Sequence, residues 1–144
     1  MEKTRIIVVG SREYDNYEVV AYHIARIIVE RGIKDPEIIS GCARGVDKLG
    51  ERFAHEMGYT LTKFPANWRN VGKEAGMIRN EKMAVYASSG KVCGILIAFP
   101  YVGRSAGTRD MIRRAEEHDL DVYVYEQLEE KDEWEEMKQA RYIS

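Results

Sequence analysis

The chain has 144 residues, near the commonest size of a single domain, and its 22 basic and 24 acidic residues give a formal net charge of -2. The 44% of hydrophobic residues suffice for one buried core, and the lack of a basic excess argues against a protein that wraps nucleic acid through its phosphates. The apolar run at the N-terminus is too short for a signal peptide or a membrane span. We therefore expect one domain, residues 1–144, with no membrane partner.

Strand-like and helix-like segments alternate along this chain. Continuous β-branched runs predict strands that are buried on both faces, and apolar residues at helical spacing predict the helices between them. Strands are predicted at 5–10, 36–40, 59–66, 90–100 and 120–126. Helices are predicted between them at 16–32, 46–58, 72–88 and 106–119, and a terminal helix is predicted at about 129–141. Residues 5–125 form the core of the arrangement.

The alternation predicts an α/β fold, namely a Rossmann-like open and mostly parallel five-stranded sheet with helices on both faces. In such sheets, ligands bind beyond the carboxyl ends of the strands. The turns predicted at that edge are rich in glycine, serine and arginine, whereas the opposite edge receives ordinary turns at 31–36 and 56–60. We therefore expect the functional site at the carboxyl edge.

The two cysteines, Cys42 and Cys93, have no CxxC partner, and no Cys/His cluster has the spacing of a zinc site. Two free thiols fit a reducing compartment, so we expect a cytoplasmic protein. The sequence predicts no metal and no required cofactor.

The turn after the fourth predicted strand, residues 100–108, brings two glycines to the start of a helix. Glycine lets backbone N–H groups approach a ligand closely, and a helix N-terminus adds unpaired donors and a partial positive charge. Together these features bind phosphate. The turn at 40–47 is a second one of this kind. Either turn alone could be only a tight connection, but two at one edge favour an anionic ligand.

The candidate ligand-binding residues follow from these turns and from the helix at 72–88. Asp47 is either a hydrogen-bond partner for a ribose hydroxyl or only a helix cap. Glu51 lies one turn further along the same helix face, and we expect its side chain to point to solvent. We expect three arginines from separate strand–helix junctions to converge on one ligand, because a guanidinium matches phosphate oxygens. The candidates are Gly10, Ser11, Arg12, Ser40, Gly41, Arg44, Asp47, Arg79, Asn80, Gly103, Ser105, Gly107 and Thr108.

Aromatic residues near these turns have two interpretations. Trp68 and Tyr101 could stack on a base, but core packing is the commoner role of aromatic side chains, and it is the interpretation favoured for Trp68. His23 and His55 lie in helical patterns and are interpreted as structural or exposed. No Ser/His/Asp or Cys/His set is evident, so no catalytic residue is assigned.

Five blocks of the sequence resemble, in order, the SLOG superfamily and especially its small stand-alone YspA-like members. The blocks are GSREYD, SGCARGVDKLGERFA, FPANW, GKEAGMIRNEKM and AFPYVGRSAGTRDMI. Related groups are the Lonely Guy (LOG) phosphoribohydrolases, the molybdenum-cofactor carriers and the Rossmann-like domain of DprA/Smf. The resemblance implies a Rossmann-like fold that binds a nucleotide or a nucleotide-derived ligand, and for the YspA-like group it implies no established reaction.

The resemblance also shows a departure from the LOG enzymes. Those enzymes carry a glutamate three residues after a glycine–threonine pair; here Gly107 and Thr108 keep the pair, but Met111 stands in the place of the glutamate. Arg79 and Met83 keep the spacing of a further LOG arginine and methionine. Because methionine cannot act as a general acid or base, the resemblance favours binding over hydrolysis.

Three hypotheses of function stay open, in this order. The first is a module that binds or senses a nucleotide-like small molecule. The second is a LOG-like hydrolase of nucleoside monophosphates, which would need a carboxylate from Asp15, Asp47, Glu51 or Asp110. The third is a DprA-like partner of single-stranded DNA, which would need a basic groove with stacking aromatics and is not favoured by the charge. The amphipathic residues 132–143 could join a homo-oligomer interface or pack on their own sheet.

Overall fold

The computed structural model describes residues 2–128, except for the side chains at 70, 71 and 73, and contains five strands and five α-helices in these residues. The helix expected at 129–141, and the interface considered for 132–143, lie outside the described residues. The strands are β1 Thr4–Gly10, β2 Pro36–Ser40, β3 Thr60–Lys63, β4 Ile95–Phe99 and β5 Asp121–Val124. The helices are α1 Tyr17–Glu30, α2 Val46–Met57, α3 Trp68–Val71, α4 Ala75–Ser88 and α5 Ala106–Glu117, with a short 3-10 helix at Gly72–Glu74.

The strands form one sheet in the order β3-β2-β1-β4-β5, and every neighbouring pair is parallel. Helices α1 and α2 contribute to the core on one face of the sheet, and α4 and α5 contribute to the core on the other. The α/β Rossmann-like expectation is confirmed. After β1 and β4, which are neighbours, the chain turns to opposite faces, so their carboxyl ends form the topological switch point where such sheets bind ligands.

The burial pattern explains the continuous apolar runs in the three central strands β2, β1 and β4. In β1, Ile6 and Val8 pack under α1 and α2, while Ile7 and Val9 pack under α4 and α5. Each fully buried aliphatic side chain contributes about 1.5–3 kcal/mol through the hydrophobic effect. The edge strand β3 has no fully buried residue, and it has only one neighbouring strand.

The predicted helix at 72–88 differs in its first turn. Gly72 has a φ of +75°, which an α-helix does not accommodate, so α3 ends there and α4 begins only at Ala75 after the 3-10 turn. The other helix ends follow the sequence signals: Asn16 caps α1 by accepting a hydrogen bond from the N–H of Val19, and Gly58 ends α2 in the left-handed conformation. Within residues 2–128, no helix has both the length and the apolarity that a membrane crossing requires.

Candidate functional site

Two adjoining cavities open at the carboxyl edge of the sheet. The first has a volume of about 280 Å³ and lies between the turn after β1, helix α4 and the N-terminus of α5. The second has a volume of about 390 Å³ and lies between the turns after β2 and β3. Arg12, Ala43 and Arg79 line both cavities, so the two cavities are adjacent.

The structure brings most of the predicted residues to these cavities. Those that line the first cavity are Gly10, Ser11, Arg12, Asp47, Arg79, Asn80, Ser105, Gly107 and Thr108. Gly41 and Arg44 line only the second cavity. Ser40 and Gly103 line neither of them.

The N-terminus of α5 forms one wall of the first cavity. Ser105 precedes the helix in a left-handed conformation, with a φ of 75°, and its hydroxyl accepts a hydrogen bond of 3.1 Å from the N–H of Tyr101. A Cβ atom added to Gly107 would meet no other atom within 4 Å, so this turn is open toward the cavity. The first N–H groups of a helix have no intrahelical acceptor, and here they border space that an anion could fill.

The turn after β2 packs tightly against the turn after β1. Gly45 has a φ of +78°, and an added Cβ atom would overlap the carbonyl oxygen of Ser11 and come within 2.6 Å of the carbonyl carbon of Arg12. The N–H of Val46 donates a hydrogen bond of 3.2 Å to the same Ser11 oxygen. Glycine at position 45 is therefore what lets the start of α2 approach the β1 turn.

Ser40 supports this turn from inside rather than facing a cavity. Its buried hydroxyl donates to the Glu51 carboxylate at 2.6 Å and accepts from the N–H of Cys42 at 3.0 Å. Glu51 is mostly buried and lies 3.5 and 3.6 Å from the ammonium groups of Lys48 and Lys63. The expectation that Glu51 points to solvent is wrong, because the buried Ser40 hydroxyl and two lysines hold it against the protein.

Asp47 forms part of the first cavity as a buried carboxyl group. Its side chain is 3% exposed and accepts a hydrogen bond of 3.3 Å from the N–H of Ala43. Burial raises the pKa of Asp47 to about 7, although the positive charge of Arg79 and backbone hydrogen bonds from Ala43 and Gly10 act in the opposite direction. This carboxyl group therefore gains or loses its proton near neutral pH, which a solvent-exposed helix cap would not do.

Arg79 and Asn80, on α4, connect the turn after β2 with the start of α5. Arg79 donates to the carbonyl oxygen of Gly41 and, through Nε, to the side-chain oxygen of Asn80 at 2.9 Å. The amide nitrogen of Asn80 donates to the Gly107 carbonyl at 3.2 Å and to Asp110 at 3.0 Å. Burial opposes ionisation of Asp110, but hydrogen bonds from Arg114 and Asn80 hold its pKa below the usual value. Asp110 is thus engaged in holding Asn80 in place.

The three arginines expected to converge do so only in part. Arg12 and Arg79 line both cavities, whereas Arg44 lines the second alone and pairs with Glu13 at 2.7 Å. The side chain of Arg44 is 72% exposed. Arg104 also lines the first cavity, although it was not among the predicted ligand-binding residues, because the sequence of its turn does not indicate which way that side chain points.

Of the two aromatic residues near the turns, Trp68 is exposed and Tyr101 is buried. Trp68 is 49% exposed and lines the second cavity, with the Arg12 guanidinium carbon 5.7 Å from its ring centroid. Tyr101 is 9% exposed and packs edge-on against Tyr14, with ring centroids 5.9 Å apart. The assignment of Trp68 to the core is wrong, because the four-residue helix α3 carries it outside both core clusters.

Met111 lies at the bottom of the first cavity and is 1% exposed. It packs with Met83 in the core under α4 and α5. An apolar side chain thus closes the cavity at the position where the resemblance places a catalytic glutamate. Within residues 2–128, no three His, Cys, Asp or Glu side chains cluster as metal ligands, and both cysteines are free.

A parallel sheet between two layers of helices, with cavities at its switch point, is typical of the Rossmann-like class of domains. Within that class, residues 4–70 match the model of a family described as "YspA, cpYpsA-related SLOG family". This match spans just under half of the 144 residues and confirms the resemblance to the SLOG superfamily and its YspA-like members. No curated protein and no solved structure matches the chain.

Proposed function

We propose that this protein binds a nucleotide or a nucleotide-derived phosphorylated ligand at the carboxyl edge of its sheet. The observation that carries the proposal is the first cavity, where the open first turn of α5 faces the guanidinium of Arg79 and the turn after β1. A helix N-terminus and an arginine are complementary to a phosphate group in both charge and hydrogen bonding. The YspA-like SLOG match supports the same class of ligand.

The charges around the first cavity favour an anion. Arg12, Arg79 and Arg104 line it together with the carboxyl groups of Glu13 and Asp47. Because burial raises the pKa of Asp47 to about 7, that group is largely neutral below this pH and does not repel a phosphate. In its neutral form it can also donate a hydrogen bond to a ligand oxygen, such as a ribose hydroxyl.

The identity of the ligand is tested by recovering what the protein carries. Protein purified without added nucleotide is denatured, and the released small molecules are identified by mass spectrometry. Adenosine monophosphate (AMP), adenosine diphosphate and ribose 5-phosphate are then titrated calorimetrically into ligand-free protein. We expect a phosphorylated compound in the first experiment and binding of at least one probe in the second; failure of both would contradict the proposal.

Arg79→Ala shows whether binding occurs at the first cavity. Loss of a charge-assisted hydrogen bond of about 1.5–3 kcal/mol should weaken binding about tenfold to a hundredfold. The matched control is Arg26→Ala, since Arg26 is an exposed arginine on α1 that pairs with Glu30 and lines neither cavity. Equal affinities of the two variants would place the ligand elsewhere.

Asp47 favours a second candidate function, a LOG-like hydrolase that cleaves the N-glycosidic bond of a nucleoside monophosphate. A buried carboxyl group with a pKa of about 7 is suited to general acid–base catalysis, and it lines the cavity. We rank this function second because Met111 stands where the LOG enzymes carry their carboxylate. We expect no release of free base from nucleoside monophosphates; steady turnover that both Asp47→Asn and Arg79→Ala abolish would reverse the ranking.

A further inference from the structure

The second cavity differs in chemistry from the first. Its walls combine the apolar side chains of Pro65, Ala66 and Trp68 with the guanidinium groups of Arg12 and Arg44. At about 390 Å³ it has the size of a small-molecule site, and a phosphate alone would leave most of it empty. An apolar wall next to cations is suited to a flat aromatic group with polar edges.

Trp68 is the largest apolar surface in this cavity, and its indole is held in place although it is half exposed. A Cβ atom added to Gly76, on α4, would lie 3.0 Å from Cη2 of the indole. Glycine in a helix costs about 0.5–1 kcal/mol relative to alanine, and here it leaves room for the edge of the indole ring. The indole is thus seated against α4 while 49% of the residue remains exposed.

The two cavities are positioned to hold two parts of one molecule. Arg12 and Arg79 line both of them, so the space beside α5 and the space beside Trp68 are adjacent. Arg12 also lies over the indole, with its guanidinium carbon 5.7 Å from the ring centroid. A group bound at Trp68 would therefore lie next to an arginine that also borders the first cavity.

We infer that the second cavity binds the base of the ligand by stacking it on Trp68, which makes the preferred ligand class a nucleotide rather than a sugar phosphate. This inference rests on the proposed function, because it takes the first cavity as the site of the phosphate. Stacking on an aromatic side chain tolerates any base, since every base has a π-face. The second cavity thus distinguishes nucleotides from phosphorylated sugars, while stacking itself does not choose among bases.

Calorimetric titration of AMP and ribose 5-phosphate tests this inference, because the two probes share a phosphate and a ribose and differ by the base. We expect AMP to bind about tenfold to a hundredfold more tightly, the effect of one base stacked on an aromatic side chain. Trp68→Ala should reduce the affinity for AMP to that for ribose 5-phosphate and leave the latter unchanged. Trp68→Phe should keep most of the preference. Tyr22→Ala, which removes an exposed aromatic side chain on α1, should change neither affinity.

Fluorescence provides a test that does not depend on the folding of a Trp68 variant. The chain has two tryptophans, Trp68 and Trp134, so Trp134→Phe leaves Trp68 as the single reporter. We expect AMP to quench this fluorescence and ribose 5-phosphate to leave it unchanged. Equal affinities for the two probes, with no quenching by AMP, would overturn the inference and leave the proposed function intact. If neither AMP, adenosine diphosphate nor ribose 5-phosphate binds to the wild-type protein and no phosphorylated compound is recovered from it, both the inference and the proposed function are overturned.

Discussion

The turn after β2 and the turn after β4 look alike in sequence but differ in their surroundings. Each places glycines and an arginine between a buried strand and a helix. In the first turn, Cβ atoms added to Gly41 or Gly45 would collide with neighbouring residues; in the second, Cβ atoms added to Gly103 or Gly107 would meet nothing within 4 Å. Glycines of the first turn therefore allow close packing, whereas those of the second leave open space. The same residue type serves the fold in one turn and can serve a ligand in the other.

Gly45→Ala should have the largest effect on stability, because Gly45 lies in the tightly packed turn after β2. Gly45 has a φ of +78° and a ψ of -131°, a conformation that costs about 1–3 kcal/mol for a residue with a Cβ atom, and overlap with the backbone of Ser11 and Arg12 adds about 1–3 kcal/mol. We expect the free energy of unfolding to fall by the sum, about 2–6 kcal/mol, in urea denaturation.

Gly32→Ala is the matched control, since Gly32 also has a positive φ, of +62°, but an added Cβ atom meets nothing within 4 Å. Gly32→Ala should lower the free energy of unfolding only through its unfavourable backbone conformation, by about 1–2 kcal/mol. Equal losses in the two variants would show that the contact between the β1 and β2 turns is not tight.

The pH dependence of stability tests the raised pKa of Asp47, the buried carboxyl group next to the turn after β2. Asp47 has a pKa of about 7 in the folded protein, against about 3.9 in an unfolded chain, so between these values the folded protein binds more protons. Stability should therefore fall as pH rises through this range, by at most about 1.4 kcal/mol per pH unit, and Asp47→Asn should lack this contribution.

The measurement for Asp47 is urea denaturation of the wild-type protein and the variant from pH 4 to pH 8. The wild-type protein should lose stability relative to Asp47→Asn up to about pH 7 and run parallel to it above. A constant difference over the whole range would mean that Asp47 is ionised throughout and that burial does not dominate its pKa.

Gly107→Ala changes the open turn after β4, and we expect it to weaken ligand binding without lowering stability. Alanine is favoured over glycine in a helix by about 0.5–1 kcal/mol, so thermal denaturation should show an unchanged or higher melting temperature. The added methyl group would occupy space in the first cavity, so calorimetry should show weaker binding of ribose 5-phosphate.

Gly103→Ala is the control within the same turn. Gly103 has a φ of +77° and lines neither cavity, so this change should lower stability slightly and leave binding unchanged. Weaker binding in Gly103→Ala than in Gly107→Ala would mean that the ligand contacts the turn at a different place.

Arg44→Ala should have the smallest effect on stability, because its ion pair with Glu13 is largely exposed. Exposed pairs contribute about 0–1 kcal/mol, so the melting temperature should change little. Affinity for ribose 5-phosphate should stay the same, since Arg44 lines only the second cavity. A large fall in melting temperature would identify Arg44 as a structural residue.

The sequence by itself determined the layered architecture and the edge at which most of the predicted site residues lie. A continuous apolar run such as residues 6–9 is buried on both faces only between two layers of helices, which predicts a parallel sheet. The alternation of strands and helices brings all the strand ends to one edge, whatever the order of the strands. The resemblance to the SLOG superfamily added the expected class of ligand, and residues 4–70 match that family.

Only the tertiary structure decided which way the side chains in the turns point. The environments of Trp68 and Tyr101 could not be told apart in sequence, because burial depends on neighbours that are distant along the chain. The same holds for Arg79, which contacts the Gly41 carbonyl 38 positions away, and for Asp47, whose pKa is raised by the packing around it. The spacing of apolar residues along one helix or strand indicates which of its residues face the core. It carries no information about contacts between turns that meet only when the sheet has formed.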